Sequence, residues 1–122
     1  MAHGDITHTE IPVTDMKKAQ EFYANLFGWQ IAEVPGYEGY PMWSAPNGIS
    51  GGGLTVRDNS SICPRSYVEV DSIDEVIKKA RENGGEVVME KTPISETSWM
   101  AVFSDPDGNH LGLYEGRTET GS

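Results

Sequence analysis

Two stretches, Ile11-Pro12-Val13-Thr14-Asp15-Met16 and Val68-Glu69-Val70-Asp71-Ser72-Ile73, stand 57 positions apart and open the same pattern twice. Shifted by that interval, residues 10–33 fall on residues 67–90 with matching roles: Val13 meets Val70, Met16 meets Ile73, Ala19 meets Val76, Tyr23 meets Ala80 and Gly28 meets Gly85. Each copy then closes on its own turn, Ala45-Pro46-Asn47-Gly48 in the first and Asp105-Pro106-Asp107-Gly108 in the second. A strand-containing repeat of roughly 60 residues in only two copies is no solenoid. It reads as a duplicated module, two half-sites facing each other around a pseudo-twofold axis. The residues at the paired positions facing that axis largely decide the function.

Within each copy a helix follows the first strand. Asp15 caps the first helix, whose apolar stripe is Ala19, Phe22, Tyr23, Leu26 and Phe27, and Gly28 ends it in the left-handed conformation. Ser72-Ile73-Asp74-Glu75 is a capping box for the second, with Ile73, Val76, Ile77 and Ala80 as its stripe and Gly84 and Gly85 as its stop. Strands are expected at 5–13, 29–34, 39–45, 50–57, 65–71, 86–91, 97–104 and 109–115. Asn47-Gly48 and Asp107-Gly108 predict that the last two strands of each module pair antiparallel. The fold class is therefore α+β: one domain over 1–122, with module 1 at about 5–57, a polar linker 58–64, module 2 at about 65–115 and a frayed tail 116–122. Phe22, Phe27 and Trp29 belong in this scheme to the core between helix and sheet.

The chain's 122 residues suffice for one domain. Nine basic against 19 acidic residues give a formal net charge of −10, which argues against nucleic acid and anionic membranes as partners. The single Cys63 forms no internal disulfide, the N-terminus lacks the regions of a signal peptide, and no apolar run is long enough to span a bilayer. A cytoplasmic location is expected.

The chain resembles the vicinal oxygen chelate superfamily, which holds glyoxalase I, bleomycin-resistance proteins and extradiol dioxygenases. The resemblance rests on His8-Thr9-Glu10-Ile11-Pro12-Val13 running into Phe22-Tyr23, on Tyr67-Val68-Glu69-Val70-Asp71, and on Asp105-Pro106-Asp107-Gly108-Asn109 before the final strand. It covers about residues 5–115. It implies two tandem βαβββ modules forming a curled mixed sheet, a cup that receives a small molecule, and a homodimer.

Metal-dependent members of that family place one ligand on the first and one on the last strand of each module. The resemblance maps these positions onto His8, Gly52, Arg65 and Gly112. Arginine has no lone pair to donate and glycine has no side chain, so one imidazole remains where an ion needs three or more protein ligands. The usual divalent metal is expected to be absent, and no other cofactor is expected. A rearranged set, His8, Glu10, Glu69 and His110, is the metal-binding alternative, since strand parity points all four inward. Glu115 has the opposite parity. Glyoxalase-type isomerisation needs a carboxylate beside the metal, and both places that supply it are glycine, so conventional glyoxalase I activity is not expected.

Gly51-Gly52-Gly53 and Gly112 either clear the cup floor for a flat ligand or mark a bulge or tight crossing. The run is not a phosphate loop, because the Gly-Lys-Ser/Thr ending is missing. Arg65 either forks onto a ligand anion or bridges to Glu10 or Glu69. His8 is a contact or general base in the cup, or a hydrogen-bonded structural histidine. Trp43 and Trp99, with Tyr40, Tyr67 and Tyr114 nearby, are the aromatic binding candidates, with packing under a helix or in a dimer contact as the competing account for each. The expected function is binding of a small organic molecule, anionic or aromatic, without metal. The alternative is a lyase, isomerase or dioxygenase with a rearranged metal site.

Overall fold

In a computed structural model, residues 3–59 and 61–116 are described. They form two compact units, one built from Thr7–Arg65 and the other from Ser66 onward together with the residues up to Ile6. The first module runs β1 (Ile6–Val13), α1 (Met16–Phe27), β2 (Gln30–Ala32), β3 (Met42–Ser44) and β4 (Gly51–Val56). The second runs β5 (Arg65–Glu69), α2 (Ile73–Glu82), β6 (Glu86–Ser95), β7 (Ser98–Ser104) and β8 (His110–Gly116). This is the expected α+β arrangement of two βαβββ modules. In the first, β1 pairs parallel with β4, and β3 lies antiparallel between β4 and β2. In the second, β5 pairs parallel with β8, and β7 lies antiparallel between β8 and β6.

Both helices begin where their caps place them. Asp15 accepts from the Lys18 N–H at 3.0 Å and the Ser72 hydroxyl from the Glu75 N–H at 3.2 Å. Gly28 sits at φ 72°, which swings Trp29 back beneath the helix end. Beyond their caps the modules differ. Ile73 and Ile77 of α2 are buried with Val70, Ala101 and Leu113, and Val76 and Trp99 pack against that cluster. In contrast, α1 buries none of its residues: Phe22 and Phe27 are 58% and 53% exposed. The expected core role of these two phenylalanines is therefore corrected. What ties α1 to its sheet is a run of rings, with Tyr23 and Phe27 against Trp29 and Trp29 stacked on Trp43 at 3.6 Å.

Two strands depart most from expectation, and the two hairpins differ from each other, for local reasons. The strand expected at 39–45 shrinks to Met42–Ser44, because Gly36 and Gly39 take left-handed conformations and residues 33–41 become a looped connection. Conversely, β6 continues to Ser95 through Pro93, with register shifts along its pairing to β7. Pro93 is tolerated because β6 bonds only β7 within its module, leaving an edge where the missing N–H is not needed. Both hairpin turns form, but β3 and β4 are joined by residues 45–50 and β7 and β8 by residues 105–109, so the first connection is one residue longer. Asp105 organises the shorter one, accepting from the Asp107 and Asn109 N–H groups, and the Asn109 side-chain amide holds its carboxyl below the usual carboxylate range. In the linker, Asp58 and Ser61 form an isolated bridge. Of the tail expected over 116–122, Gly116 closes β8 and the rest lies outside the described residues.

Candidate functional site

Strand alternation sorts the candidate residues onto faces. On β1, His8 and Glu10 share one face, and Glu10 stands opposite Gly53 of β4, whereas Thr9 stands opposite Gly52. On β5 and β8, Tyr67 stands opposite Gly112 and Glu69 opposite Tyr114. Arg65, Tyr67, Glu69, His110, Gly112 and Tyr114 thus occupy the face of the second module away from α2. The glycine equivalent to Gly112 is therefore Gly53. The expected equivalence with Gly52 was one residue out, because the longer first hairpin inserts a residue before β4 and a one-residue slip flips the face.

Both equivalent glycines carry a tyrosine ring. A Cβ built at Gly53 would lie 2.2 Å from Cζ of Tyr40, and one at Gly112 would lie 2.3 Å from ring carbons of Tyr67. The glycines thus make room for the protein's own phenols. Tyr67 is delivered by β5 itself and is 6% exposed. Tyr40 is delivered by the 33–41 connection. Its hydroxyl donates to Glu10 Oε2 at 3.0 Å and lies 2.7 Å from His8 Nε2. The phenol has one proton, so His8 donates through Nε2 while Glu10 accepts. The imidazole and phenol planes are nearly parallel, 10° apart with centroids at 6.1 Å. Tyr40 stood among the aromatic candidates, but its contact with His8 and Glu10 was not read from the sequence. The signal for it was a tyrosine-proline pair near a glycine strand, which carries no periodicity.

Trp43 and Trp99 move off this face. Trp43, 7% exposed, pairs with Gly52, and its Nε1 donates to the Thr9 carbonyl at 3.2 Å on the helix side. Gly52 is glycine because a Cβ there would lie 1.8 Å from that same carbonyl oxygen. Trp99 packs into the α2 core and stands opposite Glu115, with the Lys91 ammonium 5.1 Å from its ring centroid. Glu115 also lies on the helix side, as parity requires, and accepts the Ile73 N–H at 2.8 Å.

The rearranged metal set is not brought together. Glu69 aligns with Tyr114, four residues along β8 from His110, about 13 Å at strand spacing. Among the described residues no three His, Cys, Asp or Glu side chains converge as a ligand group. At the positions the resemblance assigned, His8 faces with Gly53 and Arg65 with Gly112, and phenol rings fill both glycine positions. This donor set does not fit a divalent ion.

Burial holds the His8 imidazole below its ordinary value, so it is neutral at physiological pH. The sign follows directly. Above the unfolded value near 6.5 both states are neutral; as pH falls below it, the unfolded chain takes up the proton first and stability drops until the folded value is passed. Melting temperatures between pH 7.5 and 5 are expected to fall more steeply for the wild type than for His8→Gln.

A family model described as glyoxalase/bleomycin resistance protein/dioxygenase superfamily matches residues 5–113. The chain belongs to that superfamily. Among superfamily relatives, "Putative glyoxylase CFP32" of Mycobacterium tuberculosis is 27% identical over 98% of this chain, which spans 48% of that protein's length. The lactoylglutathione lyase of Salmonella typhimurium is 27% identical over 92% of this chain and 93% of its own. The crystal structure of methylmalonyl-CoA epimerase from Mycobacterium tuberculosis superposes with a TM-score of 0.70, covering 96% of this chain and 90% of that one at 20% identity, a likeness of fold alone. Among the described residues of this superfamily member, no helix is long and apolar enough to cross a membrane.

Proposed function

We propose that this superfamily member binds a small organic molecule without a divalent ion, with one candidate face in each module: His8, Tyr40 and Glu10 in the first, and Arg65, Tyr67, Glu69 and Tyr114 in the second. The observation that carries this reading is the pair of tyrosine rings seated on Gly53 and Gly112. Where metal-dependent relatives need carboxylates, this chain presents two phenols, one tied to an imidazole and a carboxylate. Such a surface suits planar molecules with few polar groups. A homodimer in the cytoplasm, without nucleic acid or membrane partners, completes the proposal. The likeness to lactoylglutathione lyases favours a second reading, a lyase or isomerase in which His8 and Glu10 exchange protons with a bound substrate.

Saturable turnover of an α-keto hemithioacetal separates the second reading from the first, and elemental analysis tests the metal-free premise. After dialysis against Ni²⁺, Zn²⁺ and Mn²⁺, well under one ion per chain is expected, and the melting temperature of neither wild type nor His8→Ala responds to these ions. Planar aromatic acids and phenols are expected to raise the melting temperature of chelator-treated protein saturably, by the equivalent of about 2.7 kcal/mol at a hundredfold excess over Kd. An ion-dependent stabilisation that disappears in His8→Ala contradicts the reading.

A further inference from the structure

We propose that the first-module seat over Gly53 is a binding site for hydroxyaromatic molecules, and that Tyr40 is an internal stand-in which such a ligand displaces. The inference rests on the metal-free reading and goes beyond it by naming the ligand class and the element that moves. The seat has the features a phenol requires. Its floor is Gly53, over which the phenol ring lies so close that a Cβ would fall 2.2 to 2.4 Å from Cζ, Cε2 and the hydroxyl oxygen. Two groups of opposite hydrogen-bonding role converge on one atom, with His8 Nε2 at 2.7 Å as donor and Glu10 Oε2 at 3.0 Å as acceptor. A hydroxyl satisfies both at once. An ether offers Glu10 no proton, a carboxylate faces the Glu10 charge, and an ammonium offers His8 no lone pair. The neutral, half-buried imidazole lies nearly parallel to the ring at its hydroxyl edge, so its Nε2 meets the hydroxyl close to the ring plane.

The two modules differ in how firmly the ring is held. Tyr67 is part of β5, and lifting it from Gly112 would break the pairing of β5 with β8. Tyr40 ends a connection that owns no strand. That connection is shaped by turns, with left-handed Gly36 and Gly39, the Tyr40 N–H on the Tyr37 carbonyl at 3.1 Å, and the Glu33 and Glu38 carboxylates bonded to the Gly39 and Gly36 N–H groups. Pro41, fully buried, anchors its far end, and its carbonyl accepts the Leu54 N–H at 2.9 Å. Tyr40 can therefore swing with the Gly36 and Gly39 turns, Pro41 holding the far end, while both flanking strands stay paired. A hydroxyaromatic that enters takes over its two hydrogen bonds and its contact with Gly53.

The probe is para-cresol, the tyrosine side chain as a free molecule, with toluene as the same shape without the hydroxyl. Chelator-treated Tyr40→Ala protein is expected to bind para-cresol saturably, by melting-temperature shift and by NMR titration, at least about tenfold more tightly than toluene. Wild type is expected to bind para-cresol about tenfold more weakly than the variant, because its own phenol competes. In Tyr40→Phe, which keeps the ring and removes the competing hydroxyl, para-cresol is expected to bind more tightly than in wild type even if Tyr40→Ala folds poorly. Equal binding of toluene and para-cresol, or equal para-cresol affinity in wild type and Tyr40→Phe, overturns the proposal. Ion-dependent stabilisation of wild type overturns the metal-free reading instead, and the two failures are thereby told apart.

Discussion

The Gly52→Ala variant is expected to lose about 3–5 kcal/mol of stability, while Gly53→Ala, one residue along, keeps its fold. A methyl group at Gly52 would lie 1.8 Å from the Thr9 carbonyl oxygen, 2.7 Å from its carbon and 2.7 Å from Trp43 Nε1. Thr9 is the partner of Gly52 across the parallel β1–β4 ladder, and the Trp43 indole donates to that same carbonyl. No side chain there can rotate aside, so the strands must separate. Leu54, fully buried two residues further along β4, has its packing disturbed with them. Against a typical total stability of about 5–15 kcal/mol, the loss is a large share, and a melting point lower by about 10–20 °C is the expected readout. At Gly53 the nearest atoms to the methyl belong to the Tyr40 side chain, not to the backbone. The ring moves with its connection, at the cost of two hydrogen bonds worth about 1–2 kcal/mol together. Equal losses in the two variants would mean that Gly53, and not Gly52 alone, faces immovable backbone.

Both modules were legible in the chain because their signals are local. The caps at Asp15 and Ser72, the stop at Gly28 and the two Pro-x-Gly turns each act within a few residues, and each appears where expected. The faces of β5 and β8 were equally legible, since Tyr67, Glu69, Gly112 and Tyr114 follow simple alternation, whereas Trp99 at the start of β7 was not placed by parity. What escaped depends on length or on distance in the chain. One additional residue between β3 and β4 moved the key glycine from position 52 to 53, and periodicity within a strand does not report it. The Tyr40 contact joins residues 30 and 32 positions apart through a connection with no repeating pattern. The apolar stripe of α1 predicted burial as confidently as that of α2, yet α1 is held by stacked rings at one end. Periodicity reports which side of a helix is apolar, and says nothing of what covers it.

Glu115→Ala is expected to cost about 2–3 kcal/mol and to lower the melting temperature by about 8–12 °C, with Glu115→Gln losing less than half as much. The Glu115 carboxylate accepts the N–H of Ile73, the first residue of α2, which is itself fully buried. Ser72 satisfies Glu75 instead, so Ala at position 115 leaves the Ile73 donor without its acceptor in a site closed to water. The Lys91 ammonium also lies 3.6 Å from the same carboxylate oxygen, but it keeps Asp74 at 3.2 Å and the Trp99 face when Glu115 is removed. Asp74 is 75% exposed at its side chain, so the Lys91–Asp74 pair contributes little of its own. The hydrogen bond to the helix therefore dominates over the ion pair. Glutamine keeps an oxygen acceptor for Ile73 and gives up only the charge that faces Lys91 and the positive end of α2. Thermal unfolding of the two variants side by side tests this ordering. Should Glu115→Gln prove as damaging as Glu115→Ala, the charge rather than the acceptor holds α2 to β8.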